Sequence, residues 1–143
     1  MAHSIQEFDG KKKIFNDLDL LVVVLFVLKL LSKSPKDEFL EKVRKSWTSM
    51  LASYGPGLLD LELEGLIHSS EEKTTLLNVF HDVKKDLSEY GDFVPARVLN
   101  GMVTFNGTKF FDYQTVLIVN GLTSLEELLG KESFMRIPGS ANG

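Results

Sequence analysis

The chain has 143 residues, of which 43% are hydrophobic and 25% charged. This is an ordinary globular mix that argues against collagen-like, coiled-coil and disordered architectures. With no cysteine, it has no disulfide scaffold, thiol nucleophile or cysteine-ligated metal centre. The net charge of −4 does not attract nucleic acid to the molecule as a whole.

Residues 1–12 read as a loose leader. A first helix is expected to start at Asn16 or Asp17, both good N-caps, and to end near Ser32-Lys33. Its run from Leu20 to Leu31, LLVVVLFVLKLL, is shorter than the ~20 apolar residues a membrane span needs. Lys29 interrupts it, and Asp17 and Asp19 separate it from the basic cluster at 11–13, so neither a span nor a signal peptide is expected. The run is apolar on every face, which predicts the central helix of a core. A cytoplasmic location is the corresponding expectation.

Ser34-Pro35-Lys36-Asp37 predicts the start of a second helix, with Ser at the N-cap and Pro at the first helical position. Phe39, Leu40, Val43, Trp47, Met50, Leu51 and Tyr54 form its apolar stripe. Gly55-Pro56-Gly57 ends it. Between Leu58 and Ile67, Leu59, Leu61 and Leu63 alternate with Asp60, Glu62 and Glu64. The alternation suggests a strand. Composition favours a short helix, which is the reading adopted. Ser69 and Glu72 stand in capping-box spacing before a helix with the stripe Leu76, Phe80, Val83, Leu87 and Tyr90.

From Asp92 to Gly121 the chain turns rich in Val, Phe, Thr and Tyr, with Asn-Gly at 100–101, 106–107 and 120–121. These pairs predict hairpin turns. Residues 102–105 would pair with 108–111, and Val98-Leu99 would pair back across Asn100-Gly101. Residues 113–119 read equally as a strand or as a short helix capped by Asp112 and Asn120-Gly121. A final helix is expected from Ser124 to Leu129, stopped by Gly130, and residues 131–143 read as a frayed tail. The predicted fold is therefore α+β, mostly α. Three to four N-terminal helices (13–91) pack in a single domain against a small C-terminal antiparallel hairpin or meander (92–130).

Catalytic motifs are missing. There is no Gly-x-Ser-x-Gly, and Leu129-Gly130-Lys131 lacks the rest of a phosphate loop. His3, His68 and His81 have no metal-ligand spacing, so neither metal nor cofactor is expected. Charge layout is more informative. Residues 10–56 carry nine basic and five acidic side chains, whereas residues 57–93 carry nine acidic and three basic. An acidic block of this kind steers a basic partner. Among the aromatics, Phe110 and Phe111 are neighbours expected to point opposite ways, one inward and one outward.

The expectation is a non-catalytic protein-binding protein, in concrete form an acidic inhibitor or immunity-type protein that covers the basic active site of a toxin or nuclease. Asp60, Glu62, Glu64, Glu71, Glu72, Asp82, Asp86, Phe110 and Phe111 are the candidate partner-binding residues. No direct nucleic-acid or membrane contact is expected. Two other readings stay open. One is a small-molecule binder or small enzyme with a pocket near His68, His81, Asp82, Arg97 and Tyr113. The other is a homodimer formed through an edge of the meander.

Overall fold

In the computed structural model, residues 2–33, 37–53, 57–102 and 110–130 are described. The first element is not a leader. His3–Phe8 (β1) and Lys11–Asn16 (β2) form an antiparallel hairpin in which Ile5 faces Ile14 and Phe8 faces Lys11. The turn between them is Asp9-Gly10, with φ of 54° and 79°. Positive φ at both positions is the twist-matched two-residue turn that Asp-Gly favours.

Asp17–Leu31 (α1) follows without a gap, and the Asn16 side chain accepts the N–H groups of Leu18 and Asp19 at 2.9 and 3.1 Å. This is the N-cap expected from sequence. Leu20 to Val27 are all buried, and α1 touches α2, α4, α5, α6 and β2. The predicted central helix is therefore present, and its uniform apolarity matches neighbours on every side.

Glu38–Ala52 (α2) is capped by Asp37, whose carboxylate accepts the Leu40 N–H at 2.9 Å. The helix thus starts three residues later than expected, with Asp37 rather than Ser34 as its N-cap, while residues 34–36 and the Gly55-Pro56 stop lie outside the described residues. The stripe Phe39, Val43, Trp47 and Leu51 is buried as predicted. The segment 58–67 forms no strand, and the short helix expected there is present but confined to its second half. Only Leu63–Leu66 (α3) is helical, while Leu59, Leu61 and Leu63 are buried and Asp60, Glu62 and Glu64 are exposed. Composition was the guide to the helix, and the alternation was the guide to which side chains are buried, because one face of the segment packs on the core.

Ser70–Leu87 (α4) begins as expected. Ser69 accepts the Glu72 N–H at 3.1 Å, and the Glu72 carboxylate reaches back to the His68 N–H at 2.7 Å. Its predicted stripe is buried at Leu76, Phe80, Val83 and Leu87, and Tyr90 meets the Phe26 ring edge-on at 6.2 Å.

The C-terminal part departs most from expectation. Among the described residues, 92–130 hold one two-residue pairing, Phe93–Val94 (β3) with Tyr113–Gln114 (β4), and two helices, Ala96–Met102 (α5) and Thr115–Leu128 (α6). Among its described residues this part is thus mostly helix, which corrects the strands expected at Val98-Leu99 and leaves 113–119 chiefly helical. The pairing expected across Asn106-Gly107 lies outside the described residues, as does the tail from 131. Asn100-Gly101 is helical rather than a turn. The Asn100 amide instead donates to the Phe110 C=O at 3.0 Å and accepts its N–H at 2.8 Å, holding that chain as a strand neighbour would. Asp112 does not cap the helix that follows it. Its carboxylate accepts the N–H of Ala96 at 2.8 Å and so caps α5. Asn120-Gly121 lies within α6, and the helix expected at 124–129 is its final part. Gly130, at φ 95°, ends it as predicted.

The molecule is mostly helical with two small antiparallel sheets among the described residues. One apolar cluster joins Phe15, the four long helices, the 59–67 segment, Val94, Leu99 and Phe110. Lys84 reaches the buried Glu126 at 2.8 Å, tying α4 to α6, and Lys13 reaches Glu127 at 2.6 Å, tying the hairpin to α6. No described helix is long and apolar enough to cross a membrane.

Candidate protein-docking site

The alternation of β1 is inverted relative to an ordinary surface strand. Ser4 and Gln6 are buried, whereas Ile5 is 59% exposed and its cross-strand neighbour Ile14 is 70% exposed. The buried polar side chains have a defined task. Ser4 Oγ accepts the Leu59 N–H at 3.1 Å. Gln6 donates to the Leu59 C=O at 2.8 Å and accepts the Leu61 N–H at 2.9 Å. Trp47 Nε1 donates to the Leu61 C=O at 3.0 Å. Side chains thus satisfy the peptide groups of Leu59 and Leu61 as a neighbouring strand would. Asp17, also buried, completes the arrangement by accepting Ser4 Oγ–H at 2.5 Å and the Gly57 N–H at 2.7 Å.

This fastening sets the 57–66 segment beside β1 and leaves an open groove of about 820 Å³ between them, lined by His3, Ile5, Glu7, Leu58, Asp60, Glu62 and Glu64 among others. Leu58 is 74% exposed there. The Glu64 carboxylate accepts the Asp9 N–H at 2.9 Å and holds the hairpin turn to the groove's far end. Glu62 has φ 53°, a left-handed conformation that costs a non-glycine residue about 1 kcal/mol. Its N–H donates to the Asp60 carboxylate at 2.8 Å, and its own carboxylate accepts from Ser46 at 3.3 Å.

Of the nine candidate residues, Asp60, Glu62 and Glu64 come together, and the hairpin adds Glu7. Glu71, Glu72, Asp82 and Asp86 lie on α4 and do not line this groove. Glu72 is occupied in capping α4, and Asp82 and Asp86 are exposed farther along the helix. Phe110 is buried and Phe111 is 80% exposed, the opposite orientations expected, and the pair shortly precedes β4. His3, Ile5, Glu7 and Leu58 were not foreseen. The signal for the first three is Asp9-Gly10, a hairpin dipeptide between segments of strand length.

The residues of the pocket reading are dispersed. His81, Asp82 and Arg97 are exposed. His68 lines a shallow depression with Phe8, Asp9 and Lys73. Among the described residues, no group of three or more His, Asp or Glu side chains is placed to hold a metal ion.

Tyr113 donates its phenol to Asp19 of α1. Burial first, then the hydrogen bond and the adjacent negative charge, push its ionisation well above the ordinary tyrosine range. The stability this contributes is complete below the unfolded value of about 10 and is lost as pH rises toward the folded one. In a spectrophotometric titration, one of the three tyrosines should ionise last. Tyr113→Phe should remove that late step and narrow its stability gap to wild type above pH ~10. A titration unchanged by the substitution would contradict the assignment.

Comparisons with protein-family models, with curated proteins and with solved structures return no match.

Proposed function

We propose that this chain is a non-catalytic protein-binding protein whose acidic groove receives a basic partner. In its most concrete form it is a cytoplasmic inhibitor or immunity-type protein that covers the cationic active site of a toxin or nuclease. The observation that carries this reading is the convergence of Glu7, Asp60, Glu62 and Glu64 on one groove that also exposes Ile5 and Leu58. Apolar residues bordered by like charges are the composition of a docking surface, where the apolar groups supply affinity and the charges select and steer. Sites that bind phosphate carry positive potential, so carboxylates can occupy them by mimicry.

The test is affinity capture from the native host at low and high salt, using wild type and a variant with Asp60, Glu62 and Glu64 all changed to Lys. A basic protein should be retained stoichiometrically by wild type at low salt, shed at high salt and ignored by the variant. Salt-insensitive capture, or equal capture by the variant, would overturn the reading.

A further inference from the structure

The groove is bordered by a strand with one free edge. The Asp17 N–H donates to the Ala2 C=O at 3.1 Å, which extends the β1–β2 ladder by one pair. In an antiparallel ladder, hydrogen-bonded and non-hydrogen-bonded pairs alternate. The bonded pairs are therefore Ala2/Asp17, Ser4/Phe15, Gln6/Lys13 and Phe8/Lys11, and the peptide groups of His3, Ile5 and Glu7 turn away from β2. Gly57 closes the first position, since a Cβ there would stand 3.4 Å from the His3 C=O. Ile5 and Glu7 present two N–H and two C=O groups to the groove, none with a partner among the described residues.

We propose that this free edge of β1 accepts an extended, basic segment of the partner protein as a third strand. The proposal rests on the protein-binding reading and specifies its mode. Three features select the occupant. The spacing of Ile5 and Glu7 is one ladder repeat, so a single partner residue can exchange both bonds with Ile5 and the residue two further on can meet Glu7. The exposed Ile5–Ile14 pair continues the outer face of the hairpin, giving apolar side chains of an added strand a surface to cover. Among the described residues, Glu7, Asp60, Glu62 and Glu64 line the same groove against His3 alone, with Lys12 across the hairpin on β2. That charge favours Lys or Arg on the incoming strand. It opposes a second copy of this chain, which would bring four carboxylates against four. Long free edges invite indiscriminate pairing, and charge is a common guard against it.

The probe is acetyl-Lys-Val-Lys-Val-Lys-Val-amide, titrated into isotope-labelled full-length protein. Before addition, the Ser4 and Gln6 amides should exchange slowly with solvent and those of Ile5 and Glu7 rapidly. On binding, Ile5 and Glu7 should gain protection. Ile5→Pro in the protein should weaken binding about tenfold, the value of one lost hydrogen bond, and a probe N-methylated at the two residues that face Ile5 and Glu7, which loses two donors, about a hundredfold. Ile5→Pro removes only an outward N–H, and proline is tolerated at such an edge position, so its unfolding curve serves as the control for folding. Gln6→Pro, which breaks the β1–β2 ladder, marks what unfolding looks like.

Failure of Ile5 and Glu7 to gain protection, or binding unaffected by N-methylation and by the folded Ile5→Pro variant, overturns strand addition. If charge reversal at 60, 62 and 64 still abolishes capture of the natural partner, the acidic-groove reading survives that result. Concentration-dependent dimerisation of wild type that Ile5→Pro abolishes would assign the edge to a second copy and also overturn the proposal.

Discussion

Replacing Asp17 with alanine should cost about 3 kcal/mol of stability, or roughly 10 °C in Tm for a chain of this length. Asp17 is 3% exposed, and its two carboxylate oxygens take the Ser4 hydroxyl and the Gly57 N–H. Alanine would leave the hydroxyl to find a new acceptor and would strand a part-buried N–H. It would also remove a negative charge from the first turn of α1, where the helix dipole favours one. Asp17→Asn should be much milder, about 1 kcal/mol. An amide oxygen can still accept from Gly57, and its NH₂ can donate to Ser4 Oγ, which has a second lone pair beyond the one used by Leu59. Denaturant unfolding of both variants checks the ordering. Equal stability of Asp17→Ala and wild type would show that the Ser4–Asp17–Gly57 connection carries no structural weight. The same substitution should loosen one wall of the groove, because Gly57 and Leu59 are anchored through it.

The second large effect is expected at the crossing of α1 and α6. A Cβ built on Gly121 would lie 2.9 Å from Val23 Cγ2, and Val23 is fully buried. A β-branched side chain in a packed core has little room to yield. Gly121→Val should therefore cost about 3 kcal/mol through overpacking. Gly121→Ala should cost less, because alanine recovers about 1 kcal/mol of helix propensity relative to glycine. Combining Gly121→Ala with Val23→Ala should cost at least ~1 kcal/mol less than the two singles added, the signature of groups in direct contact. Thermal unfolding of this cycle measures the coupling, and strict additivity would mean that the helices do not meet here.

The contrast between these two positions shows what could be read locally. Gly121 read as a turn after a strand or as the end of a short helix, because Asn-Gly is a strong local stop. It is instead a mid-helix residue whose smallness serves a neighbour almost a hundred positions away. Asn100-Gly101 misled in the same manner, since the Asn100 amide is claimed by the backbone of Phe110. Asn16, Ser69 and Gly130 behaved as their types suggest, because a helix cap is settled within a few residues by backbone groups that have no other partner.

The groove divides similarly. The acids Asp60, Glu62 and Glu64 were visible as outward residues of an alternating run, and their exposure needed only that the leucines between them be buried. The β1 side of the groove was hidden because its pattern is reversed, with Ser4 and Gln6 inside and Ile5 outside. That reversal makes sense only once the peptide groups of Leu59 and Leu61 are in view.

The amino-acid sequence by itself determined the helical character of residues 17–31, 38–52 and 70–87, the placement of α1 at the centre and the acidity of residues 57–93. These follow from residue periodicity, end-capping and composition, which act over one or two helical turns. Tertiary structure alone decided that the hairpin of residues 3–16 turns Ser4 and Gln6 inward, that 96–102 is a helix and 115–128 one continuous helix, and that Glu7 joins Asp60, Glu62 and Glu64 beside an open strand edge. Each of those outcomes depends on hydrogen bonds or steric fit between segments far apart in the chain. A buried peptide group must be satisfied by whatever the fold brings to it, and no local pattern records that requirement.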